Sequence, residues 1–350
     1  MMGAIDRRQA VPVLSHVLIE VFEDDLIVTG SDMELEVTAK LPLPEGAVAG
    51  EITLPARKLF ELCRNLSRSA MLEVEEGQNA IHLQSGRFHS QLKGLPAHDF
   101  PRVTIGQAKL EMNIDSAGLF NLITRVDFAM AQQDVRYFFN GMLLEFGQSK
   151  LVAVATNGQR LARAETTTDC QETGNIQAIV PRKAVAEILK LIRGEGEVKV
   201  SVTRQHLSVE RNRVRLTTRL IDATYPDYQR AIPESGAKVL LVDRQELKNA
   251  LVRISILSNE LYRNVRLQLS PGQLQLSANN PLQEEAEEVL AVDYVGDPIE
   301  IGFNVSYLID VLNSLVGDQI QVNLSESGSP AVFVDPGDDT AQYVISPMVL

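Results

Sequence analysis

The 350-residue sequence predicts an α+β protein built from three repeated domains, each with two helices packed on antiparallel strands. Three observations predict it. One amphipathic helix pattern occurs three times, a second occurs twice, and every occurrence follows a short apolar strand.

The first helix series begins with "PARKLFELCRNL" at Pro55, which sets Leu59, Leu62, Cys63 and Leu66 on one face. "PRKAVAEILKLI" at Pro181 does the same with Val185, Ile188, Leu189 and Ile192, and "NVSYLIDVLNSL" at Asn304 with Leu308, Val311, Leu312 and Leu315. Corresponding positions lie 126 residues apart (59 to 185) and then 123 (185 to 308). The strands before them are "EITL", "QAIV" and "EIGF". In the second series, "DSAGLFNLITRV" at Asp115 and "DRQELKNALVRI" at Asp243 are shifted by 128 and follow "LEMNI" and "KVLLV". Asp115 and Asp243 stand at N-cap positions, where a carboxylate accepts the free amide protons of the first turn. Between the helices the strands alternate, as in "RLQLSPGQLQLSA" (266–278), split by a turn at Pro271–Gly272. Any one amphipathic match is common. Five in two series at nearly constant offset indicate repeated domains rather than a solenoid.

Domain boundaries are expected at 1–104, 105–233 and 234–350, since the first two domains end on an aromatic–Pro pair, Phe100–Pro101 and Tyr225–Pro226, that directs the chain out of a sheet. The repeat places a further helix of the first domain before residue 1. The sequence is therefore expected to lack the first strand and helix of domain 1, through a start assigned at an internal Met or a shortened chain.

Net charge is −13, with 45% hydrophobic and 23% charged residues, the balance of an ordinary globular protein. No stretch is long and apolar enough to span a bilayer and no secretory signal opens the chain. Cys63 and Cys170 form no framework and fit a reducing cytosol. The positive charge collects on helices: Arg57, Lys58, Arg64 and Arg68 on the first, Arg182, Lys183, Lys190 and Arg193 on the second, Arg244, Lys248 and Arg253 on the 243–254 helix. The acids gather in "EVEEG" and "QEEAEEV". One reading is that these cations merely solvate helix faces; the other is that the helices share a surface facing a polyanion that is held without base reading.

"MAQQDVRYFFNGMLLE", "VATNGQRLA", "IVPRKAVAEI", "ANNPLQEEAEE", "IGFNVSYLIDVLN" and the C-terminal "SPMVL" resemble the β sliding clamp of bacterial DNA polymerase III, over the whole chain. The resemblance implies three clamp domains forming half of a ring, closed by a head-to-tail homodimer around duplex DNA. It implies a non-catalytic, cytoplasmic, nucleoid-associated processivity factor that tethers the replicative polymerase. Its partners would be a second copy, double-stranded DNA without sequence specificity, the polymerase III catalytic subunit and the clamp loader. Other polymerases, ligase and mismatch-repair proteins would dock through short peptide motifs. No cofactor, metal or membrane is expected.

Carried over by resemblance, Arg8, Gln133, Tyr137 and Phe138 contact DNA, together with Arg182 and Lys183 of the basic helix. Tyr137 and Phe138 serve equally well as core, and Phe138 lacks the hydroxyl of the tyrosine common in the family. The partner-peptide pocket comprises Phe139, Thr156, Gly158, Arg160, Leu161, Pro226, Arg230, Asn304, Tyr307, Val344, Ser346, Pro347, Met348 and Leu350. Apolar walls would take aliphatic and aromatic anchors while a few polar groups fix the peptide backbone. Leu161 and Val344 also read as plain core, which does not exclude a pocket wall. Gln159, Ser346 and Val349 replace the common His, Met and Arg, so motif preference is left open. The dimer interface comprises Ile256 and Leu257, basic Lys58 and Arg87, and acidic Glu284, Glu285, Glu287 and Glu288; the acidic run also reads as a solvated edge that blocks pairing. Ser90 stands where an aromatic is usual.

Against an enzyme, the sequence has no Gly-rich phosphate loop, no G-x-S-x-G and no HExxH, and its five histidines (16, 82, 89, 98, 206) lack metal-ligand spacing. Two alternatives stand beside the ring: a hydrolase whose site is assembled from distant residues, and a monomeric peptide-binding module.

Overall fold

A computed structural model describes residues 2–5, 11–22, 24–43, 47–67, 70–75, 80–169, 176–233 and 238–349. The first repeat runs β1 (His16–Phe22), β2 (Asp25–Ser31), β3 (Leu35–Pro42), β4 (Gly50–Pro55), α1 (Ala56–Asn65), β5 (Met71–Glu75), β6 (Ala80–Ser85) and β7 (Phe88–Lys93). The second runs β8 (Leu110–Asp115), α2 (Ser116–Thr124), β9 (Gly141–Gly147), β10 (Lys150–Thr156), β11 (Arg160–Thr167), β12 (Ile176–Pro181), α3 (Arg182–Leu191), β13 (Glu197–Val202), β14 (His206–Arg211) and β15 (Val214–Arg219). The third runs β16 (Lys238–Asp243), α4 (Arg244–Ser255), β17 (Asn264–Ser270), β18 (Gln273–Asn279), β19 (Glu285–Ala291), β20 (Ile299–Asn304), α5 (Val305–Ser314), β21 (Gln319–Leu324), β22 (Ala331–Asp335) and β23 (Asp338–Ile345). All five helices expected from apolar spacing are present, among the described residues, each directly after a strand.

Local chemistry explains the boundaries. Asp243 caps α4 by accepting the Glu246 N–H at 2.7 Å, as a carboxylate at the N-cap should. Asn304 caps α5 from the Ser306 and Tyr307 N–H groups. The α2 pattern runs to Val126, yet the α-helix ends at Thr124: the Thr124 hydroxyl donates back to the Phe120 carbonyl at 2.9 Å, and Val126 closes a tighter turn onto Ile123. Gly272, with φ +76°, makes the tight β17–β18 hairpin at the turn expected there.

The chain forms two compact units, Met1–Ser116 with Ala186–Leu220, and Ala117–Val185 with Ile221–Leu350. In the first, an eight-stranded sheet has the order β4-β1-β2-β3-β15-β14-β13-β8, and a three-stranded sheet has the order β5-β6-β7. In the second, the order β12-β9-β10-β11-β23-β22-β21-β16 is joined by a four-stranded sheet, β19-β18-β17-β20. Each large sheet is two four-stranded halves from consecutive repeats, sewn together at β3–β15 (Val37 opposite Leu216) and at β11–β23 (Leu161 opposite Val344).

The third repeat shows how the core forms. Leu247, Ala250, Leu251 and Ile254 of α4 and Val305, Leu308, Val311 and Leu312 of α5 are buried against Leu267, Leu274, Phe303 and Phe333 of the two sheets. Each such leucine contributes about 1.5–3 kcal/mol by leaving water. In the first repeat Leu59 and Leu62 of α1 are half-buried against Val17, Ile52 and Leu54, with Met2 and Ile5 beside them.

Candidate functional site

The second unit concentrates the chemistry at the β10–β11 turn, Thr156–Arg160. The Thr156 hydroxyl accepts the Gly158 N–H at 3.0 Å and donates to the Arg160 carbonyl at 2.6 Å. The Asn157 Oδ1 accepts the N–H groups of Gln159 and Arg160, both at 3.0 Å. Gly158 holds φ +88°, and a Cβ there would stand 2.9 Å from the Arg136 Nη1. A side chain here would thus meet both a backbone conformation that favours glycine and the movable end of Arg136. Arg136 is held by Asp134 through Nε (3.0 Å) and Nη2 (2.9 Å) and lies 4.6 Å from the centre of the Phe139 ring. Those hydrogen bonds pull the Asp134 carboxyl down to about 2.

Arg160 is nearly buried, its side chain 11% exposed. Nη1 donates to Asp310 of α5 at 2.5 Å, Nη2 donates to the Phe128 carbonyl, and the group stacks 4.3 Å from the Tyr307 ring and 5.1 Å from Phe128. Tyr307 is fixed at its other end: its hydroxyl accepts from Asn157 Nδ2 at 3.1 Å and donates to Gln159 Oε1 at 3.2 Å. These groups, with Met130, Gln132 and Arg182, line an open depression of about 830 Å³.

Beside it lies an apolar cluster in which Phe139, Leu161 and Val344 are buried with Val152, Val332, Tyr225 and Tyr228. Phe138 packs half-buried on it, 4.6 Å edge-to-face with Phe139. Burial pushes the Tyr225 phenol up; burial also raises Tyr228, which donates to Glu145 Oε2 at 2.6 Å. Pro226 and Arg230 are exposed at the rim, Arg230 paired with Asp227 at 2.9 Å. The C-terminal strand continues along this edge. Ser346 N–H donates to the Gln159 carbonyl and Met348 N–H to the Gly302 carbonyl, both at 2.8 Å, with Pro347 half-buried between them.

The residues expected at a peptide pocket therefore fall into two adjoining groups: Phe139, Leu161 and Val344 in the apolar cluster, and Gly158, Arg160 and Tyr307 in the polar depression. Thr156 builds the turn and Asn304 spends its side-chain Oδ1 on capping α5. Asp134, Arg136, Phe128 and Asp310 were not singled out from the sequence. A signal was present: Asp310 is the one charged residue of α5, and Asp134 and Arg136 stand as an opposite-charge pair on either side of Val135.

Of the residues expected to meet DNA, Gln133 is exposed with φ +56°, Tyr137 is 57% exposed, and Lys183 is exposed on α3. Arg182 is turned inward, donating to the Met130 carbonyl at 2.9 Å beside Asp127. Arg8 and Leu350 lie outside the described residues. Part of the basic helix surface is engaged within the chain: Arg57 pairs with Glu61, Lys190 with Glu187, and Arg244 donates to the Leu312 carbonyl in the last turn of α5 and to the Gly317 carbonyl just beyond it.

The residues expected at a dimer contact stand at sheet edges and their flanks. In the second unit β19 is an edge strand carrying Glu285, Glu287 and Glu288, with Glu284 just before it. Arg253 engages Glu288 at 2.9 Å and draws its carboxyl below the usual range, whereas Glu285 and Glu287 remain exposed. Ile256 is 75% exposed at the end of α4 and Leu257 is half-buried. In the first unit β7 is an edge; Arg87 precedes it, Lys58 is exposed on α1, and Phe88 is 43% exposed. The Ser90 hydroxyl is buried without a partner.

Among the described residues no helix is long and apolar enough to cross a membrane, and no cluster of His, Cys, Asp or Glu is arranged to hold a metal ion.

Three family models match the chain in succession: the N-terminal domain of the DNA polymerase III beta subunit over residues 1–104, its central domain over 113–227 and its C-terminal domain over 229–349. The beta sliding clamp of Pseudomonas putida is 44% identical over 349 residues, covering 99% of this chain and 95% of the relative. That of Escherichia coli is 39% identical over 350 residues with the same coverage. The crystal structure of the DNA polymerase III subunit beta from Pseudomonas aeruginosa superposes with a TM-score of 0.96 at 44% identity, again over 99% of this chain and 95% of that one. A further Pseudomonas aeruginosa clamp, bound to griselimycin, superposes with a TM-score of 0.95.

Proposed function

The chain belongs to the DNA polymerase III beta subunit family, the beta sliding clamps, and on that premise we propose how it works: as a non-catalytic clamp whose task is topological. A head-to-tail homodimer encircles duplex DNA and tethers the replicative polymerase for processive synthesis. The observation that carries this reading is the succession of three clamp-domain matches through one chain, over repeats that share a strand–helix plan. We take the domains as 1–104, 105–233 and 234–350.

The physics suits sliding. A chain of net charge −13 repels DNA from most of its surface, while Lys and Arg on α1, α3 and α4 tolerate the phosphate backbone through counterion release without reading bases. Lys183, Gln133, Tyr137 and Phe138 are the proposed contacts, joined by Arg8; Arg182 acts by shaping the α3 start. Closure is by edge strands: β7 and β19 are unpaired edges, and an unpaired edge invites a strand from another chain. Ile256 and Leu257 supply apolar contact, and Lys58 and Arg87 face Glu284, Glu285 and Glu287. Partners, namely the polymerase catalytic subunit, clamp loader, other polymerases, ligase and mismatch-repair proteins, dock a short peptide at the β11–β23 seam, with apolar anchors on the Leu161–Val344 cluster and polar groups in the adjoining depression. The place of action is the cytoplasm, at the nucleoid.

Mass measurement in solution and retention on DNA test this together. The expected result is a dimer that stays on nicked circular DNA and runs off when the circle is cut. A strict monomer at micromolar concentration, or equal loss from circles and linear DNA, overturns the ring. Ile256→Ala with Leu257→Ala is expected to lower the dimer fraction.

A further inference from the structure

Resting on the peptide-docking reading, we infer that Met33, Glu36, Ser208 and Thr217 are the side chains that deny a docking peptide a second site on each chain.

The two seams share one backbone frame. At the β2–β3 turn the Ser31 hydroxyl accepts the Met33 N–H at 3.1 Å, and Asp32 Oδ1 accepts the N–H groups of Glu34 (2.9 Å) and Leu35 (2.7 Å). Thr156, Asn157, Gly158, Gln159 and Arg160 make the same set at the β10–β11 turn. The strand that follows is pinned alike, Arg219 N–H to the Glu34 carbonyl at 2.7 Å and Ser346 N–H to the Gln159 carbonyl at 2.8 Å. Registers then equate Glu36 with Leu161, Thr217 with Val344, and Ser208 with Val332.

At these matched positions the side chains differ. Leu161, Val344 and Val332 make an apolar floor, whereas the Ser208 and Thr217 hydroxyls bond each other at 3.0 Å and the Glu36 carboxylate accepts the Val103 N–H at 3.2 Å. A leucine or phenylalanine anchor pressed there would dehydrate a carboxylate and return no hydrogen bond. At the turn tip, Met33 adopts the left-handed conformation of Gly158, φ +73°, and puts a 58% exposed side chain where Gly158 has none.

The test is calorimetric titration of the full chain with an acetylated hexapeptide ending in Leu-Phe. Wild type is expected to take one peptide per chain; two equivalents overturn the inference. The graft Met33→Gly, Glu36→Leu, Ser208→Val, Thr217→Val is expected to raise the stoichiometry toward two, and a folded graft that still takes one overturns it. Should the graft not fold, Val344→Thr carries the reverse exchange: an affinity loss on the order of 10-fold supports the assignment and unchanged affinity overturns it. No binding by wild type at all is a different failure, that of the docking reading itself.

Discussion

The segments that follow Phe100–Pro101 and Tyr225–Pro226 leave their repeats from matching places, but different forces hold them. In the first unit Arg102 bridges Glu20 at 2.7 Å and Glu51 at 3.4 Å, neighbours across β1 and β4. In the second, the Tyr228 hydroxyl donates to Glu145, whose register partner across β9 and β12 is Gln177, itself donating to Glu145 at 2.7 Å. The glutamate is kept; the donor changes from an exposed guanidinium to a phenol seated in an apolar cluster. A backbone frame closed by its own amide hydrogen bonds accepts either solution, so side chains decide whether a sheet face is wet or available to apolar ligands.

Breaking the second unit's side of this comparison has the largest expected effect. Arg160→Ala removes the ion pair with the 39% exposed Asp310, the bond to the Phe128 carbonyl and two ring contacts, and should cost about 2–3 kcal/mol, mostly from lost packing and hydrogen bonding, read as a lower denaturation midpoint. Gly158→Ala forces a Cβ into φ +88° against Arg136 and should cost about 1–2 kcal/mol in the same measurement. Tyr228→Phe should cost about 1 kcal/mol, nearly independent of salt. Arg102→Ala should cost less than about 1 kcal/mol and fade in high salt, because that guanidinium is 58% exposed. Equal salt dependence in the last two variants would erase the contrast.

A pH profile sharpens it further. Burial holds the Glu36 carboxyl above its ordinary value of 4.5, partly offset by the Val103 N–H and Arg102. The folded state therefore binds this proton more tightly than the unfolded chain, so the group destabilises at neutral pH and the penalty is relieved as pH falls through its raised value. Glu36→Gln should flatten that slope in urea melts between neutral pH and about 4.5. Asp134 runs the other way: held at about 2, its contribution is lost as pH drops below 3.8, and Arg136→Ala should move its NMR midpoint upward.

Helices were the most legible part of the chain, because Leu308, Val311 and Leu312 announce a buried face through spacing alone. The turn at Gly272 and the cap at Asp243 were equally readable, being local chemistry. The candidate site was legible only through family resemblance, which named Arg160 and Tyr307 but not their fastening. Arg160 meets Asp310 across 150 residues, and Arg136 comes to lie over Gly158 and Phe139 through a turn held by Asp134 and Asn140. No periodicity encodes such meetings.

By itself the sequence determined the repeat, the helices and the segregation of charge, since each depends on neighbours within a few residues and on the 3.6-residue period. Only the tertiary structure decided that consecutive repeats share one sheet, that two like turns carry unlike floors, and which cations are spent within the chain. Those outcomes depend on strand register and on contacts between distant residues, where a single polar or apolar side chain sets the character of a surface that the backbone leaves undecided.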